Sequence, residues 1–316
     1  MKSAAVVLAA ILCGAAVPAL AEQPAPPTAQ APAPGQPVQV RENGLIGVWY
    51  PPAPGGKHPA VLVLGGSEGG LAGGYYLGAK LAAQGYAVFG PAYFGMEGLP
   101  ANLQDVPLEY FTKAIDWLRA QPGVDRDRIA VYGISKGGEL ALLVASRHPE
   151  IKAVVAGVPS HVVWQGINYT DWSPHSSWDE NGQPLPFVPY DTSTGFTSII
   201  DLYQRSLKLA DAHKDAIIPV ERINGPILLV SGQADGIWPS TEMANRVMAR
   251  LDANGFKPLH VHLSYPDAGH IAAVPLSDDP RLKVLEQFGG TPEGNAKARA
   301  DMWKEVLSFL DRSLNR

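Results

Sequence analysis

Val131-Tyr-Gly-Ile-Ser135-Lys-Gly-Gly-Glu-Leu-Ala-Leu142 decides how the rest of the chain is read. An apolar, β-type run ending at Tyr132 meets Gly133-x-Ser135-x-Gly137, and a helix-forming run starts at Glu139. A strand that turns at once into a helix pushes the residue at the turn out from the top of the sheet. Glycines stand where side chains would collide. Such a turn offers a serine hydroxyl as a nucleophile. Because the chain holds 33 glycines, the bare pentapeptide also arises by chance, so the reading depends on the flanks and on partners.

The partners follow in order. After the apolar run Pro226-Ile-Leu-Leu-Val-Ser231 comes Gly-Gln-Ala-Asp235-Gly, a carboxylate just past a strand's end. After His260-Val-His-Leu-Ser-Tyr265 comes Pro-Asp-Ala-Gly-His270. A serine hydroxyl is a weak nucleophile, so it needs an imidazole to take its proton and a carboxylate to fix the imidazole's tautomer. Ser, Asp, His in that chain order is the arrangement of the α/β-hydrolase triad. Ser135 is the candidate nucleophile, His270 the base and Asp235 the acid. Taken singly, Asp235 also reads as a cap for a helix starting near Pro239, and His270 as a surface turn residue. Asp267 is a rival acid, but it shares one short turn with His270.

A further apolar run, Ala60-Val-Leu-Val-Leu64, leads into Gly65-Gly-Ser-Glu-Gly-Gly70. In this fold the corresponding loop supplies one backbone N–H to the oxyanion, and the residue after the nucleophile supplies the other. Ser67 is the expected first donor, with Gly66 and Glu68 as neighbouring choices, and Lys136 is the second. A Gly-rich loop could also cradle phosphate, but the chain has neither a G-x-G-x-x-G nor a Walker lysine. His260 and His262 form an H-x-H pair without a clear third ligand, which argues against a metal site. No metal or organic cofactor is expected.

Apolar residues make up 46% of 316, enough for one large α/β core. Residues 1–21 read as a secretory signal, with Lys2, an apolar stretch from Ala4 to Val17 and an A-x-A site ending at Ala21. That stretch is too short to span a bilayer comfortably, and no later run spans, so no stable membrane anchor is expected. The expected location is secreted or periplasmic. Cys13, the single cysteine, falls inside the signal. Residues 22–37 are a Pro/Ala-rich linker. A net charge of −5 without a basic block excludes a nucleic-acid partner.

The catalytic domain is expected over 38–316. Asn43-Gly44 marks a hairpin between two strand-like runs, and from there strands alternate with helical patterns. The fold class is α/β: a mostly parallel central sheet with helices on both faces. Strands are expected to end at Leu64, Phe89, Tyr132, Gly157 and Ser231, and a closing helix to run from about Asn295 to Leu314. Between Gly157 and Pro226 the alternation breaks. The stretch 158–222 carries Trp164, Trp172 and Trp178 and a Pro-rich turn, and a loop so long usually has a function of its own. It is expected to rise over the catalytic face as a cap. Glu68, Trp164, Trp178 and Trp238 are the candidates for substrate contact; the alternative for the indoles is plain packing.

Taken together, Gly65-Gly-Ser-Glu-Gly-Gly-Leu71, Ala92-Tyr-Phe-Gly95, Leu108-Glu-Tyr-Phe111, Gly133-Ile-Ser-Lys-Gly-Gly-Glu-Leu140, Ile218-Pro-Val-Glu221 and Tyr265-Pro-Asp-Ala-Gly-His270 resemble the acyl-CoA thioesterase and bile acid-CoA:amino acid N-acyltransferase family of α/β-hydrolases. The resemblance implies a small-molecule acyl thioester or ester as substrate and places the family's triad on Ser135, Asp235 and His270. It also implies hydrolysis, since members that acylate amino acids use cysteine and those that release to water commonly use serine. Larger members carry a separate β-sandwich domain, which Val38 to Pro59 is too short to form. Two alternatives stand beside this expectation: a carboxylesterase resembling dienelactone hydrolases, and a catalytically silent binding protein.

Overall fold

The computed structural model describes residues 35–314 apart from 169, 172, 278 and 279. The expected signal, nearly all of the linker and Trp172 lie outside the described residues.

In chain order the elements are β1 (Val38–Glu42), β2 (Leu45–Tyr50), β3 (His58–Leu64), α1 (Ala72–Ala82), β4 (Ala87–Ala92), β5 (Val106–Pro107), α2 (Glu109–Ala120), β6 (Val124–Ile134) and α3 (Lys136–Ala145). There follow β7 (Ile151–Gly157), β8 (Trp178–Glu180), β9 (Gln183–Pro184), α4 (Ile199–Leu207), β10 (Ile227–Gly232), α5 (Ser240–Ala253), β11 (His260–Tyr265) and α6 (Pro292–Ser313).

Eight strands form one sheet in the order β1-β2-β4-β3-β6-β7-β10-β11. The β1–β2 hairpin turns at Asn43 and Gly44, both at positive φ as an Asn-Gly hairpin turn demands. β2 is the one strand that runs against the rest. The neighbours from β4 to β11 are all parallel, so β6, β10 and β11 end at the same edge of the sheet. This is the α/β-hydrolase fold that the alternation predicts.

Side chains alternate between two cores with the period of two that a strand imposes. From β3, Leu62 and Leu64 face the core covered by α2, α3 and α5, whereas Val61 and Val63 face the one covered by α1 and α6. From β6, Val131 and Tyr132 divide in the same way. Every residue of α3 is buried, so the helix behind the nucleophile is a rigid support.

Several boundaries differ from the sequence reading, in which the strand before Ser135 runs from Arg128 to Tyr132 and the closing helix starts near Asn295, whereas α6 starts at Pro292. β4 continues beyond Phe89 through Gly90 and Pro91, where Pro91 lies opposite Gly47 of β2. β6 starts at Val124, because the charged run Asp125 to Arg128 continues the strand with mostly exposed side chains before an irregularity in register at Ile129. The 158–222 stretch is not closed on itself. Its strand β8 pairs with β5, which precedes α2, and β9 pairs with β8. A separate cluster of Val162, Trp164, Val188, Tyr203 and Leu207 fills its interior and includes Trp238 from the turn before α5.

Candidate active site

Ser135 has φ 60° and ψ −124°, a backbone state that L residues avoid. The surrounding backbone forces it. A Cβ at Gly133 would stand 1.8 Å from the Gly137 carbonyl oxygen, and one at Gly137 would stand 2.2 Å from that of Leu64. Only glycines let β6, α3 and the end of β3 approach this closely. The hydroxyl is thereby projected above the N-terminus of α3, the positive end of the helix dipole.

Ser135 Oγ lies 3.0 Å from His270 Nε2, and His270 Nδ1 lies 3.0 and 2.9 Å from the two Asp235 oxygens. A carboxylate only accepts, so Nδ1 carries the proton and Nε2 is left to receive the serine's. Asp235 is held in turn by the Ile237 and Trp238 amides at 2.9 and 3.3 Å and by the Ser240 hydroxyl at 2.7 Å. Asp235 caps no amide of α5, whose N-cap is Pro239 without a side-chain cap; it orders the turn before that helix while its carboxylate faces His270. Asp267 instead uses its backbone carbonyl, which accepts the Thr291 amide at 2.9 Å. His270 and Asp235 are 3% and 8% exposed, whereas Ser135 is half-buried, so Ser135 is the member open to solvent.

Tyr93 orders the Gly-rich loop. Its hydroxyl lies 2.6 Å from the Gly65 carbonyl and 3.2 Å from that of Gly66. In a trans peptide N–H and C=O point in opposite directions, so fixing Gly66 O turns the Ser67 N–H away from Tyr93. The Lys136 N–H belongs to the first turn of α3, where amides have no intrahelical acceptor. A Cβ at Gly66 would lie 3.2 Å from Ser135 Cβ, which brings this loop against the nucleophile.

The three indoles are fully buried. Trp164 packs on Tyr190 and Tyr203, and Trp178 on Tyr93 and Phe111. Both therefore form part of the interior, and neither offers an apolar underside to the serine. Trp238 bridges the two regions, with its ring 5.5 Å from Tyr203 and 6.0 Å from His270, and its Nε1 donates to Val158 O. His260 and His262 both face α5 and β10 residues: His260 pairs with Asp252, and His262 with Ser231 and Asn245. Among the described residues no group of three metal-ligating side chains is present.

Sequence reasoning missed Ser240, Tyr93 and Glu139. Tyr93 and Glu139 stand inside motifs quoted for the family resemblance, so the signal was present without a role attached. Glu139 accepts from the Lys136 ammonium, the Trp178 indole at 2.7 Å and the Trp164 amide at 3.4 Å.

The profile described as BAAT / Acyl-CoA thioester hydrolase C terminal matches residues 106–316. The chain belongs to that family. A second profile, described as PET hydrolase-like, matches residues 18–171. Among relatives, the chain is 32% identical over 286 residues to acyl-coenzyme A thioesterase 1 of Mus musculus, covering 88% of this chain and 65% of that protein. It is 30% identical over 283 residues to the bile acid-CoA:amino acid N-acyltransferase of Mus musculus, with the same coverage of 88% and 65%. The chain thus spans just under two thirds of the length of these relatives. A solved structure from Klebsiella pneumoniae, described as a dienelactone hydrolase, superposes with a TM-score of 0.54 at 18% identity, over 87% of this chain and 97% of that one. At that identity the likeness concerns the fold.

Proposed function

We propose that this chain is a serine-dependent hydrolase of acyl thioesters or esters that works through an acyl-enzyme. The observation that carries the reading is the unbroken hydrogen-bonded line from Ser135 through His270 to Asp235. Ser135 Oγ attacks the acyl carbonyl as its proton passes to His270 Nε2, and Asp235 stabilises the imidazolium. The Lys136 and Ser67 amides receive the oxyanion. The imidazolium protonates the leaving thiolate or alkoxide. Water, activated by the same histidine, then releases the acid and restores Ser135.

The thioester preference is supported by the acyl-CoA thioesterases among the relatives. Serine at position 135 supports release to water over transfer to an amine. A small oxyester is the second reading, favoured by the PET hydrolase-like match over the first half of the chain. Export after cleavage near Ala21 belongs to the same proposal and is supported by the composition of residues 1–21. An exported enzyme would meet thioesters or esters outside the cytosol.

Protein beginning at Glu22, assayed on acyl-CoA, acyl-pantetheine and p-nitrophenyl esters of graded length, tests the reading. A thioester preference that is abolished by Ser135→Ala is the expected result. Equal turnover of short oxyesters with no thioester preference would favour the second reading. Turnover of none of them, with no labelling of Ser135 by a fluorophosphonate, would leave a binding protein.

A further inference from the structure

Glu68 is an exposed residue, yet its carboxyl group turns inwards against its own loop. A methyl built on Gly65 would stand 2.7 Å from Glu68 Oε1. One built on Gly66 would stand 2.9 Å from Oε2 and 3.2 Å from Ser135 Cβ. The space of one absent methyl thus lies between this carboxyl and the nucleophile. The nearby amides of Gly66 and of Glu68 itself, and the His270 side chain, favour its charged form. From the other elements around it, Tyr76 of α1 and Tyr93 after β4 face it. Burial first, and then the Glu68 charge, keep both phenols protonated.

The loop is therefore gripped from two sides. The Tyr93 hydroxyl holds the carbonyls of Gly65 and Gly66, and the Glu68 carboxyl fills the space beside both glycines. We propose that Glu68 is a positioning residue of this site: its carboxylate fixes the loop that presents the Ser67 amide, and it sets a second negative charge, besides Asp235, against the His270 imidazolium that forms as Ser135 attacks. This rests on the acyl-enzyme reading above. An opposite charge nearby favours the charged form of a base, so the carboxylate makes His270 a better acceptor of the serine proton. Burial pushes the Glu68 carboxyl above its ordinary range, while the two amides and His270 oppose it. On acidification Glu68 is neutralised, and the imidazolium keeps Asp235 alone.

The test is the rate at which a fluorophosphonate modifies Ser135 in the full chain, followed by mass spectrometry from about pH 5 to pH 9. This reports the attack by Ser135 without requiring the natural substrate. Glu68→Gln keeps the shape and an accepting oxygen but removes the charge. It is expected to slow labelling roughly three- to tenfold near neutral pH and to move the acid limb of the profile to lower pH. Glu68→Ala, which also empties the space beside Gly65 and Gly66, is expected to slow it by about tenfold more. Unchanged thermal unfolding of both variants shows that the fold is retained, as the exposed position of Glu68 implies. A Glu68→Gln profile that superimposes on the wild type would overturn the proposal. So would a uniform slowing with an unmoved acid limb, because a merely loosened loop gives that result. Failure of wild-type Ser135 to label at any pH would bring down the acyl-enzyme reading, and this proposal with it.

Discussion

The Lys136 ammonium lies 2.7 Å from each carboxylate oxygen of Glu139, and neither side chain is more than 2% exposed. Burial opposes both charges, lowering the pKa of Lys136 and raising that of Glu139, and the pairing resists both shifts. Ser177 completes the ammonium's shell at 2.8 Å, and Trp164 and Trp178 complete the carboxylate's. The residue proposed to offer its amide to the oxyanion is thus tied by its side chain to the 158–222 stretch.

Glu139→Gln leaves that ammonium buried without its counter-charge. The variant should lose about 3–5 kcal/mol of unfolding free energy, the scale for breaking one side of a buried pair. Lys136→Met combined with Glu139→Gln should recover part of the loss. Urea unfolding of the single and double variants measures both, and additive losses would contradict the pairing.

Ser135→Ala should lower kcat by about three to six orders of magnitude with the fold retained. Ser135→Gly should be equally inactive but about 1 kcal/mol more stable than the alanine variant, because glycine relieves the cost of φ 60°. Thermal unfolding of the two side by side decides this. An alanine variant at least as stable as the glycine one would mean that the turn is not strained.

Trp178→Phe removes the indole N–H from Glu139 while keeping most of the buried ring. A hydrogen bond to a charged group sets the expected destabilisation at about 1.5–3 kcal/mol. Because Trp178 is fully buried, kcat/KM should fall by equal factors for acetyl and octanoyl thioesters. A selective loss for octanoyl would show that the indole reads the acyl chain after all.

His161 gives the stability a pH dependence. It is 5% exposed, its Nδ1 has no hydrogen-bond partner, and burial followed by the nearby Arg246 charge pushes its pKa down to about 3. The unfolded chain takes up this proton near pH 6.5 and the folded chain does not, so stability is lost as pH falls below that value. At pH 5 the loss from this one group is about 2 kcal/mol relative to neutral pH. His161→Gln should flatten the fall between pH 7.5 and 5 in urea unfolding by roughly that amount. An unchanged fall would remove His161 as its cause.

The hydrogen-bonded trio of Ser135, His270 and Asp235 was legible because each member stands within a few residues of the end of a strand-like run, so local pattern puts it at the sheet's edge. Ser240, which steadies Asp235, is five residues downstream and looks like an ordinary helix start. Glu139 was invisible as an anchor for the opposite reason. Its partner Trp178 is 39 residues away, in a region whose two- and three-residue strands have no periodicity to read. The charged start of β6 reads as a loop, because polarity rather than backbone pairing dominates the pattern there. The inward turn of Glu68 depends on the missing side chains of Gly65 and Gly66, and glycine spacing alone does not say what fills the space.

The attachment through Glu139 limits how this protein can be re-engineered. A chimera that took its 158–222 segment from a relative would leave the buried Lys136–Glu139 pair without the Ser177 hydroxyl and the Trp178 indole that complete its shell unless positions 136 and 139 travelled with the graft, along with the Val106 segment that pairs with Trp178. Exchange of this segment would here also replace side chains that hold the Lys136–Glu139 pair beside Ser135.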